Sequence, residues 1–399
     1  MSSSGRNGAV FLSAARTAMG TFGGSLTKLS AIDLAVVAAE AAIERAGVET
    51  AEFGHAIFGN VMQTSADAIY MARHVGLRAG LPIEVPAVTV NRLCGSGFQA
   101  VIDGSREIAM KDADVCLVGG AESMSQAPHV VRGARWGLRL GPSPQFEDTL
   151  WEGLTDSYCG FSMAQTAENL AEEYGISRTD VDEVAVRSQR LAKAAWDEGR
   201  YADEVVPVMV GRKGREKPFE RDEHLRPETT MEALGALRPY FKEDGVVTAG
   251  NASGIGDGAA ALVMAGADFA KAHGLEPMGS LLSSAVAGVE PRIMGIGPAP
   301  ASRAALEKAG LTLEDIDLIE INEAFAPQYV AVERELGLDR DRVNVNGGAI
   351  ALTHPLGMTG ARITGHLLYE LARRGGGIGL GSACIGGGQG AAVIVKVEG

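Results

Sequence analysis

The sequence predicts an α/β fold, because short apolar runs alternate with helical stretches along most of the chain. "AVFLSA" has the pattern of a strand, and the Ala-rich helix "AIDLAVVAAEAAIERAG" follows it, with Gly47 as a suitable C-cap. "GHAIFGNV", "AVTV" and "DVCLVGG" have the pattern of further buried strands, and the helical "GFQAVIDGSREIAMKDA" lies between the last two. We therefore expect mostly parallel sheets covered by helices.

Three internal matches occur in the same order along the chain. "AIERAGVETAEFGHAIFGNV" (42–61) aligns without a gap to "ALEKAGLTLEDIDLIEINEA" (305–324), "AVTVNRLCG" (87–95) to "RVNVNGGAI" (342–350), and "LVGGAE" (117–122) to "CIGGGQ" (384–389). Single matches arise by chance because α/β units share Ala-Gly helix ends. Three matches in order favour a duplicated domain.

The segment from about residue 125 to residue 250 departs from this pattern. It contains stretches rich in charge and proline, such as "QAPHVVRGARWGLRLGPSPQFED" and "GRKGREKPFERDEHLRPETT". Long connections of this kind usually serve a function. The composition predicts a long insertion or lid rather than a strand-rich core.

Composition and charge exclude several classes of protein. The chain has 399 residues and a net charge of -14, which argues against a nucleic-acid partner. The four cysteines form no CxxC pair, which argues against a zinc site and against a disulfide scaffold. No targeting or membrane-spanning pattern is visible. We therefore expect a cytoplasmic protein without a membrane partner.

Cys94 lies in "VNRLCGSGFQA", after an apolar strand and before a helical run. A thiol at such a turn benefits from the free N–H groups of the helix N-terminus, which lower its pKa. The flanking glycines allow a sharp turn and close approach of a substrate. The alternative is a small buried cysteine, which is the usual state of a lone cysteine.

Three further residues occupy similar positions at Gly-rich strand or loop ends. His354, in "NGGAIALTHPLGMTGARITGHLL", can serve as a general base or an oxyanion donor, or it can cap a helix. Asn322 follows the apolar "DLIEI" and either caps the next helix or holds a water or a substrate oxygen. Cys384, in "GSACIGGGQG", precedes glycines whose backbone N–H groups suit an oxyanion hole.

Together, these segments resemble the thiolase family over nearly the whole chain. The matching blocks are "NRLCGSG", "GGAESMSQAPH", "VTAGNASG", "NEAFAPQ", "GGAIAL", "HPLG" and "CIGGGQG". The finer match of "SADAIYMARHVGLRAG" and "IMGIGPAPA" is to the mitochondrial-type 3-ketoacyl-CoA thiolases. The resemblance implies CoA-dependent thiolytic cleavage of 3-ketoacyl-CoA and the reverse Claisen condensation.

The resemblance also implies a layered α-β-α-β-α fold built from two duplicated halves with an inserted loop domain. The N-terminal half would cover 1–124 and be completed by about 252–275. The loop domain would cover 125–251, and the C-terminal half 276–399. A homodimer or homotetramer is expected, with the tetramerisation loop in the segment that contains Arg132, Arg135, Trp136 and Arg139.

The roles of the site residues follow from the same resemblance. Cys94 would carry the acyl group, His354 would activate it, and Cys384 would move the α-proton of acetyl-CoA. Asn322 would hold a water in one oxyanion hole, and the backbone N–H groups of Cys94 and Gly386 would form the other. No metal or redox cofactor is implied, since CoA is a substrate.

CoA is anionic, so an acidic chain needs local contacts for it. The resemblance places these contacts at Arg226, Thr229 and Ser253. Arg212, Lys213, Arg215 and Lys217 either add a positive field or form a solvated charge run. Met163 and Phe325 either line the acyl pocket or belong to the core.

Two positions depart from the family pattern. Many thiolases have Gly before the histidine, where this chain has Thr353, and a β-branched residue there narrows the pocket or disfavours a strained backbone. Ser162 replaces a His of many biosynthetic members, which favours thiolysis of a broader set of chain lengths. Two other interpretations are a ketoacyl synthase, whose second His is replaced here by Cys384, and a non-catalytic acyl-CoA or lipid carrier.

Overall fold

The computed structural model describes residues 8–399, and its N-terminal half alternates strands with helices. In chain order this half contains β1 (Ala9–Thr17), β2 (Gly20–Thr21), α1 (Ala31–Ala46), β3 (Phe53–Gly59), α2 (Met71–Arg78), β4 (Ala87–Val90), α3 (Ser96–Met110) and β5 (Val115–Ser123). The predicted first helix is confirmed: a capping box of Ser30 and Asp33 starts it, and Gly47 ends it with a left-handed φ of 64°.

The expectation of three buried strands is right for β3 and β5 and wrong for β4. Both faces of β5 are buried, whereas Val88 in β4 is 42% exposed. The reason is topological, because β4 pairs only with β3 and is the last strand at one end of the sheet.

The middle segment contains more regular structure than the sequence predicts. It comprises β6 (His129–Val130), β7 (Glu147–Asp148), α4 (Thr149–Gly153), β8 (Thr155–Asp156), β9 (Phe161–Ser162), α5 (Met163–Glu173), α6 (Arg178–Asp197), β10 (Val205–Val206), β11 (Val208–Val210), β12 (Lys217–Phe219) and α7 (Met231–Gly235). Helices α5 and α6 bury apolar side chains such as Leu170 and Val184 against the C-terminal half. The segment is therefore anchored to the core, and its limits as a domain stay a prediction.

The C-terminal part restores the alternating pattern. It contains β13 (Gly256–Gly266), α8 (Ala267–Ala272), β14 (Gly279–Gly288), α9 (Pro298–Ala309), β15 (Leu318–Ile321), α10 (Ala326–Leu336), α11 (Ala349–Leu352), α12 (Thr359–Arg373), β16 (Gly377–Ile385) and β17 (Gln389–Val397). Strand β13 returns to the N-terminal half, where it lies between β1 and β5. No helix within residues 8–399 is long and apolar enough to span a membrane.

The strands follow the order β15-β16-β17-β14-β1-β13-β5-β3-β4, with β2 and β10 attached at the side. Only two residue pairs join β14 to β1, so the ladder divides into two similar sheets. Helices α1 and α2 cover the outer face of the N-terminal sheet, and α9 and α10 cover the outer face of the C-terminal sheet. Helices α3 and α12 pack between the sheets. The predicted α-β-α-β-α layering is confirmed. The expectation of mostly parallel sheets is wrong, because five of the eight neighbouring strand pairs in this order are antiparallel.

Strand register shows how the two halves correspond. Ala56 pairs with Leu117, and Ile319, its counterpart in the first internal match, pairs with Leu380. Leu117 therefore corresponds to Leu380, whereas the sequence match paired it with Cys384, so the third match was wrong by four residues. The sequence match aligned glycines that lie at different places in the two halves. In the N-terminal half they lie inside β5, and in the C-terminal half they lie in the turn after β16.

Candidate active site

Cys94 lies on a tight turn between β4 and α3. Leu93 adopts a positive φ of 46°, and the Gly95 N–H donates to the Arg92 carbonyl oxygen over 2.9 Å. The Ser96 hydroxyl donates to the Leu93 carbonyl oxygen over 2.7 Å. The turn thus holds the thiol directly before the N-terminus of a fifteen-residue helix.

The Cys94 side chain is 9% exposed and lines a cavity of about 240 Å³. Other lining residues include Leu154, Met163, Leu356 and Gly386. Burial raises the pKa of the Cys94 thiol to about 11, although the backbone N–H groups of Gly386 and of Cys94 itself favour the thiolate. The resting nucleophile is therefore a neutral thiol that has two N–H donors beside it.

Cys384 is the second-last residue of β16 and is fully buried near the nucleophile. It packs in a small cluster with Met294 and Ala324, and Met163 and Phe325 lie against this cluster. Burial raises the pKa of the Cys384 thiol well above its usual range, and Cys94 adds to the effect. The structure thus brings both cysteines to one place.

The glycines beside the two cysteines allow the two chain segments to approach. A Cβ atom on Gly95 would lie 2.4 Å from the Ile385 Cδ1, which is too close for any side chain. A Cβ atom on Gly386 would lie 3.2 Å from both Leu93 and Met163. Small residues at these positions therefore let the Cys384 turn pack against the Cys94 turn.

His354 is 5% exposed, and both of its ring nitrogens have partners. The Thr359 hydroxyl donates to the Pro355 carbonyl oxygen over 2.9 Å, so the imidazole Nδ1 donates to Thr359 Oγ1 over 2.6 Å. The Asn322 amide Nδ2 lies 3.3 Å from the imidazole Nε2, which accepts from it. Burial lowers the pKa of His354 to about 3, with a smaller effect from Arg362. The imidazole is therefore neutral.

Asn322 and His354 do not cap helices. Helix α10 begins at Ala326, and its cap residue is Phe325. Helix α12 begins at Thr359, and its cap residue is Met358. The Asn322 amide Oδ1 is buried and has no protein partner within residues 8–399, so it is available to a water or a substrate atom.

Thr353, directly before His354, has a strained backbone. Its φ of 90° and ψ of 170° fall in a region that is essentially reserved for glycine, at a cost of about 1–3 kcal/mol. The side chain is 3% exposed, and its Oγ1 finds no partner among the described residues. Gly256 makes room for it, because a Cβ there would lie 2.5 Å from that oxygen. The sequence expectation of a disfavoured backbone is confirmed.

The residues expected to contact CoA lie in two different surroundings. The Ser253 N–H donates to the Ala324 carbonyl oxygen, and the His354 N–H donates to the Gly254 carbonyl oxygen, each over 3.0 Å. Arg226 is exposed, and its carbonyl oxygen accepts from the Thr229 hydroxyl over 2.8 Å. Ser253 therefore joins the histidine loop, whereas Arg226 and Thr229 lie on the neighbouring surface segment.

Other candidate residues have simpler surroundings. The four basic residues of the β11–β12 hairpin region are exposed, which agrees with a solvated charge run: Arg212, Lys213, Arg215 and Lys217. Ser162 caps α5 in a capping box with Gln165. Met163 lines the Cys94 cavity, while Phe325 packs near Cys384.

Two buried carboxylates were missed by the sequence reasoning. The Glu323 carboxylate accepts from the Ser188 hydroxyl over 2.6 Å and from the Asn344 amide over 2.9 Å, and it ties α6 to the loop before α11. Glu122 accepts from Gly357 in the His354 loop. Glu323 follows an apolar strand and Glu122 lies near the end of one; the sequence reasoning gave neither acid a role, although an acid at such a place is a usable signal.

Comparison with known families gives matches over almost the entire chain. Residues 9–268 match the model described as "Thiolase, N-terminal domain". Residues 275–397 match the model described as "Thiolase, C-terminal domain".

Individual relatives are similar at comparable length. The human "3-ketoacyl-CoA thiolase, mitochondrial" is 54% identical over 389 residues, covering 98% of each chain. The Cupriavidus necator "Acetyl-CoA acetyltransferase" is 48% identical over 388 residues, covering 97% of this chain and 98% of the relative.

Solved structures agree with this result. The crystal structure of human mitochondrial 3-ketoacyl-CoA thiolase in complex with CoA superposes with a TM-score of 0.96 at 53% identity, covering 98% of each chain. The Bacillus anthracis acetyl-CoA acetyltransferase has a TM-score of 0.96 at 46% identity, covering 99% of this chain and 100% of that one.

These relatives contradict the predicted cytoplasmic location. The human and bovine relatives, at 54% and 53% identity, are mitochondrial by name. The prediction relied in part on free cysteines, and free thiols indicate only a reducing compartment. They do not distinguish one reducing compartment from another.

Proposed function

The chain belongs to the thiolase family, and on this premise we propose that it is an acyltransferase acting on CoA thioesters through an acyl-enzyme at Cys94. The reaction is CoA-dependent thiolytic cleavage of 3-ketoacyl-CoA to acetyl-CoA and a shortened acyl-CoA, together with the reverse Claisen condensation. One observation supports this assignment above the others: the buried Cys94 thiol lines a cavity together with Gly386, whose N–H favours the thiolate, and with Leu356 of the loop in which His354 contacts Asn322, while a second buried thiol, Cys384, lies near Cys94.

The first half of the reaction needs a base for the nucleophile. The Cys94 thiol and the His354 imidazole are both neutral at rest, so the proton leaves sulfur as the sulfur attacks the 3-keto carbonyl carbon. His354 Nε2 gives up its 3.3 Å contact with the Asn322 amide and accepts this proton, and Nδ1 keeps its bond to Thr359. The product is a tetrahedral alkoxide on Cys94.

Collapse of this alkoxide breaks the bond between the α- and β-carbons. The electron pair moves onto the acetyl-CoA fragment as an enolate, and the remaining acyl group stays on Cys94 as a thioester. The Cys384 thiol gives its proton to the enolate α-carbon, which forms acetyl-CoA and leaves Cys384 as a thiolate. Its buried position near Cys94 suits a proton donor to this carbon.

The second half transfers the acyl group to free CoA. The CoA thiol gives its proton to the Cys384 thiolate and attacks the thioester carbon. The Cys94 sulfur then leaves and recovers its proton from the His354 imidazolium. Thioester exchange between two thiols is nearly balanced, so no metal or redox group is needed.

Negative charge develops on oxygen in both halves, and we assign two sets of donors to it. The backbone N–H groups of Cys94 and Gly386, which act on the Cys94 sulfur, are placed to stabilise the thioester oxyanion. A water held by the Asn322 amide, together with His354, would serve the enolate oxygen. The unpartnered Oδ1 of Asn322 supports this second assignment.

CoA is the common substrate, and we assign its contacts to Arg226, Thr229 and Ser253. Ser253 is next to the residue that contacts the histidine loop, and Arg226 provides an exposed cation for an anionic part of CoA. Replacement of a His by the capping residue Ser162 favours thiolysis of several chain lengths, as in fatty acid β-oxidation.

We also assign a homodimer or homotetramer to this chain. The segment with Arg132, Arg135, Trp136 and Arg139 exposes large apolar side chains, with Trp136 at 85% and Leu140 fully exposed. The outer edge of strand β4 also has no partner strand within residues 8–399. Light scattering after size-exclusion chromatography measures the assembly, and a monomer at micromolar concentration would refute it.

The reaction is tested with acetoacetyl-CoA and a longer 3-ketoacyl-CoA, each mixed with free CoA. Loss of the ketoacyl-CoA absorbance is expected with the wild type and not with Cys94→Ala. Mass spectrometry should find an acyl adduct on the Cys94 peptide. Folded wild-type protein that turns over neither substrate would refute the proposal and favour a CoA-binding protein.

A further inference from the structure

Glu122, near the end of β5, is a completely buried carboxylate without a cation as a partner in the described chain. Its two oxygens accept four hydrogen bonds from neutral donors: the Asn60 amide (3.0 Å), Met62 N–H (2.9 Å), Val61 N–H (3.1 Å) and Gly357 N–H (2.9 Å). Burying a charge that no cation pairs with costs free energy of folding, even when the charge accepts hydrogen bonds.

These bonds join three segments that are distant in sequence. The donors at 60–62 follow β3, Glu122 itself lies in the neighbouring strand, and Gly357 belongs to the His354 loop of the C-terminal half. Gly357 is closely packed, since a Cβ there would lie 2.7 Å from the carbonyl oxygens of Ala121 and Gly59. The carboxylate therefore fixes the His354 loop against the N-terminal sheet.

The same carboxylate acts electrostatically on the nucleophile. Burial raises the pKa of Glu122 to about 7, Asp257 on β13 adds to this, and the backbone donors oppose it. All four contacts are donors, so they favour the charged form above that pH. The negative charge in turn disfavours the Cys94 thiolate.

We propose that Glu122 is a positioning residue of the thiolase reaction, an inference that rests on the proposed function. Its hydrogen bonds hold the His354 loop in register with the nucleophile, and its charge adds to the effect of burial, which keeps Cys94 as a thiol until a substrate is bound. A protonated resting thiol is protected from oxidation and alkylation, which act on the thiolate. Proton transfer to His354 is thereby coupled to attack on the carbonyl.

Two variants separate the effect of the Glu122 charge from the effect of its hydrogen bond with Gly357. Glu122→Gln removes the charge, and Glu122→Asp keeps it while the shorter side chain no longer reaches Gly357. Glu168→Gln is the matched control, because Glu168 is also a buried carboxylate that accepts backbone N–H bonds, from Val246 and Val247. Thiolysis kinetics and the pH dependence of iodoacetamide alkylation at the Cys94 peptide are measured for all four proteins.

We expect kcat to fall about 10- to 100-fold in both Glu122 variants, with KM changed less than about 3-fold, since misplacing a catalytic group by an ångström has effects of this size. The alkylation midpoint should fall by about one pH unit in Glu122→Gln only. The control should change neither. Equal shifts in the Gln and Asp variants, or no shift in either, would overturn the inference.

The wild type provides an independent measurement if Glu122→Gln does not fold. The logarithm of its alkylation rate should rise with pH, flatten near pH 7 as Glu122 ionises, and rise again toward the Cys94 midpoint. A single rise overturns the charge effect. Because alkylation needs no substrate, it can be read even if thiolysis is absent, and that absence would refute the proposed function separately.

Discussion

Two histidines on one stretch of chain, His354 and His366, are both buried, yet their pKa values shift in opposite directions. His354 contacts a hydroxyl group and an amide, through Thr359 and Asn322. His366, on α12, has its Nδ1 2.8 Å from a carboxylate oxygen of Glu204. The two sites therefore differ in the partners of the imidazole rather than in its burial.

This difference in partners decides the direction in which the pKa of each imidazole shifts. Burial lowers the pKa of His354, and no carboxylate opposes it. Burial also disfavours the charged form of His366, but Glu204 and Glu320 outweigh it and raise the pKa of His366. Burial likewise opposes ionisation of Glu204, but His366 and Arg16 lower its pKa to about 2. The fold thus supplies a neutral base in one place and, in the other, a histidine whose protonated form is favoured by a buried carboxylate.

His366 belongs to a buried network that joins the three parts of the chain. Arg16 on β1 contacts Glu204 over 2.7 Å and Asp222 over 2.8 Å, and both acids belong to the middle segment. Glu204 in turn contacts His366 on α12. Breaking one partner of such a network leaves a buried charge unpaired.

The largest expected effect is on catalysis. His354→Ala should lower kcat for thiolysis by about 10²- to 10⁴-fold, because the base for Cys94 is lost. Its Tm should fall by several degrees, because a buried side chain that contacts Thr359 and Asn322 is lost, and kcat is therefore measured well below that Tm. Steady-state kinetics and a thermal melt measure both, and a variant with near wild-type kcat would remove His354 from the mechanism.

The second effect is on stability at the other histidine. His366→Ala should lower the free energy of unfolding by about 3–5 kcal/mol, because a buried side chain and its contact with Glu204 are both lost. The remaining folded fraction should keep its kcat at low temperature. If His366→Ala lost kcat while its Tm stayed at the wild-type value, the division between the two histidines would be wrong.

The pH dependence of stability should have opposite signs at the two sites. The raised pKa of His366 gives a contribution that is complete below the unfolded value of about 6.5 and is lost as pH rises through the folded value. The lowered pKa of His354 destabilises the fold as pH falls from about 6.5 toward 3.

Thermal melts between pH 5 and pH 9 measure both contributions. The Tm gap between wild type and His366→Ala should narrow as pH rises. Wild type should lose Tm relative to His354→Ala as pH falls below about 6.5. If Tm depended on pH in the same way in all three proteins, the assigned pKa shifts of the two histidines would be wrong.

The smallest effect concerns the residue before the catalytic histidine. Thr353→Gly relieves the backbone strain and removes an unpaired buried hydroxyl, and the flexibility of glycine offsets part of this gain. We expect a Tm rise of about 2 °C. Thr353→Ala keeps the strain and should gain less, so a larger gain in the alanine variant would show that the unpaired hydroxyl destabilises the fold more than the strain does.

Local patterns in the sequence predicted much of this site. The strand-turn-helix around Cys94, the strand before Asn322 and the Gly-rich turn after Cys384 all depend on residues that are close in sequence. The family match brought these segments together.

Features that depend on distant partners were not predictable in the same way. The network of Arg16, Glu204 and His366 joins single residues that no local pattern connects. The edge position of β4 and the packing of α5 and α6 depend on topology. The state of each histidine depends on these same distant partners, so it could be determined only from the fold.

The position of β1 in the sheet has a consequence for how the protein is made. Ala9 pairs with Gly266 and Arg16 with Ala260. Strand β1 therefore cannot pair with β13 until the ribosome has added about 250 further residues. At roughly 5–20 residues per second this delay is about 12–50 s. During synthesis an apolar strand is therefore exposed for that time, which makes the nascent chain a substrate for chaperones before it becomes an enzyme.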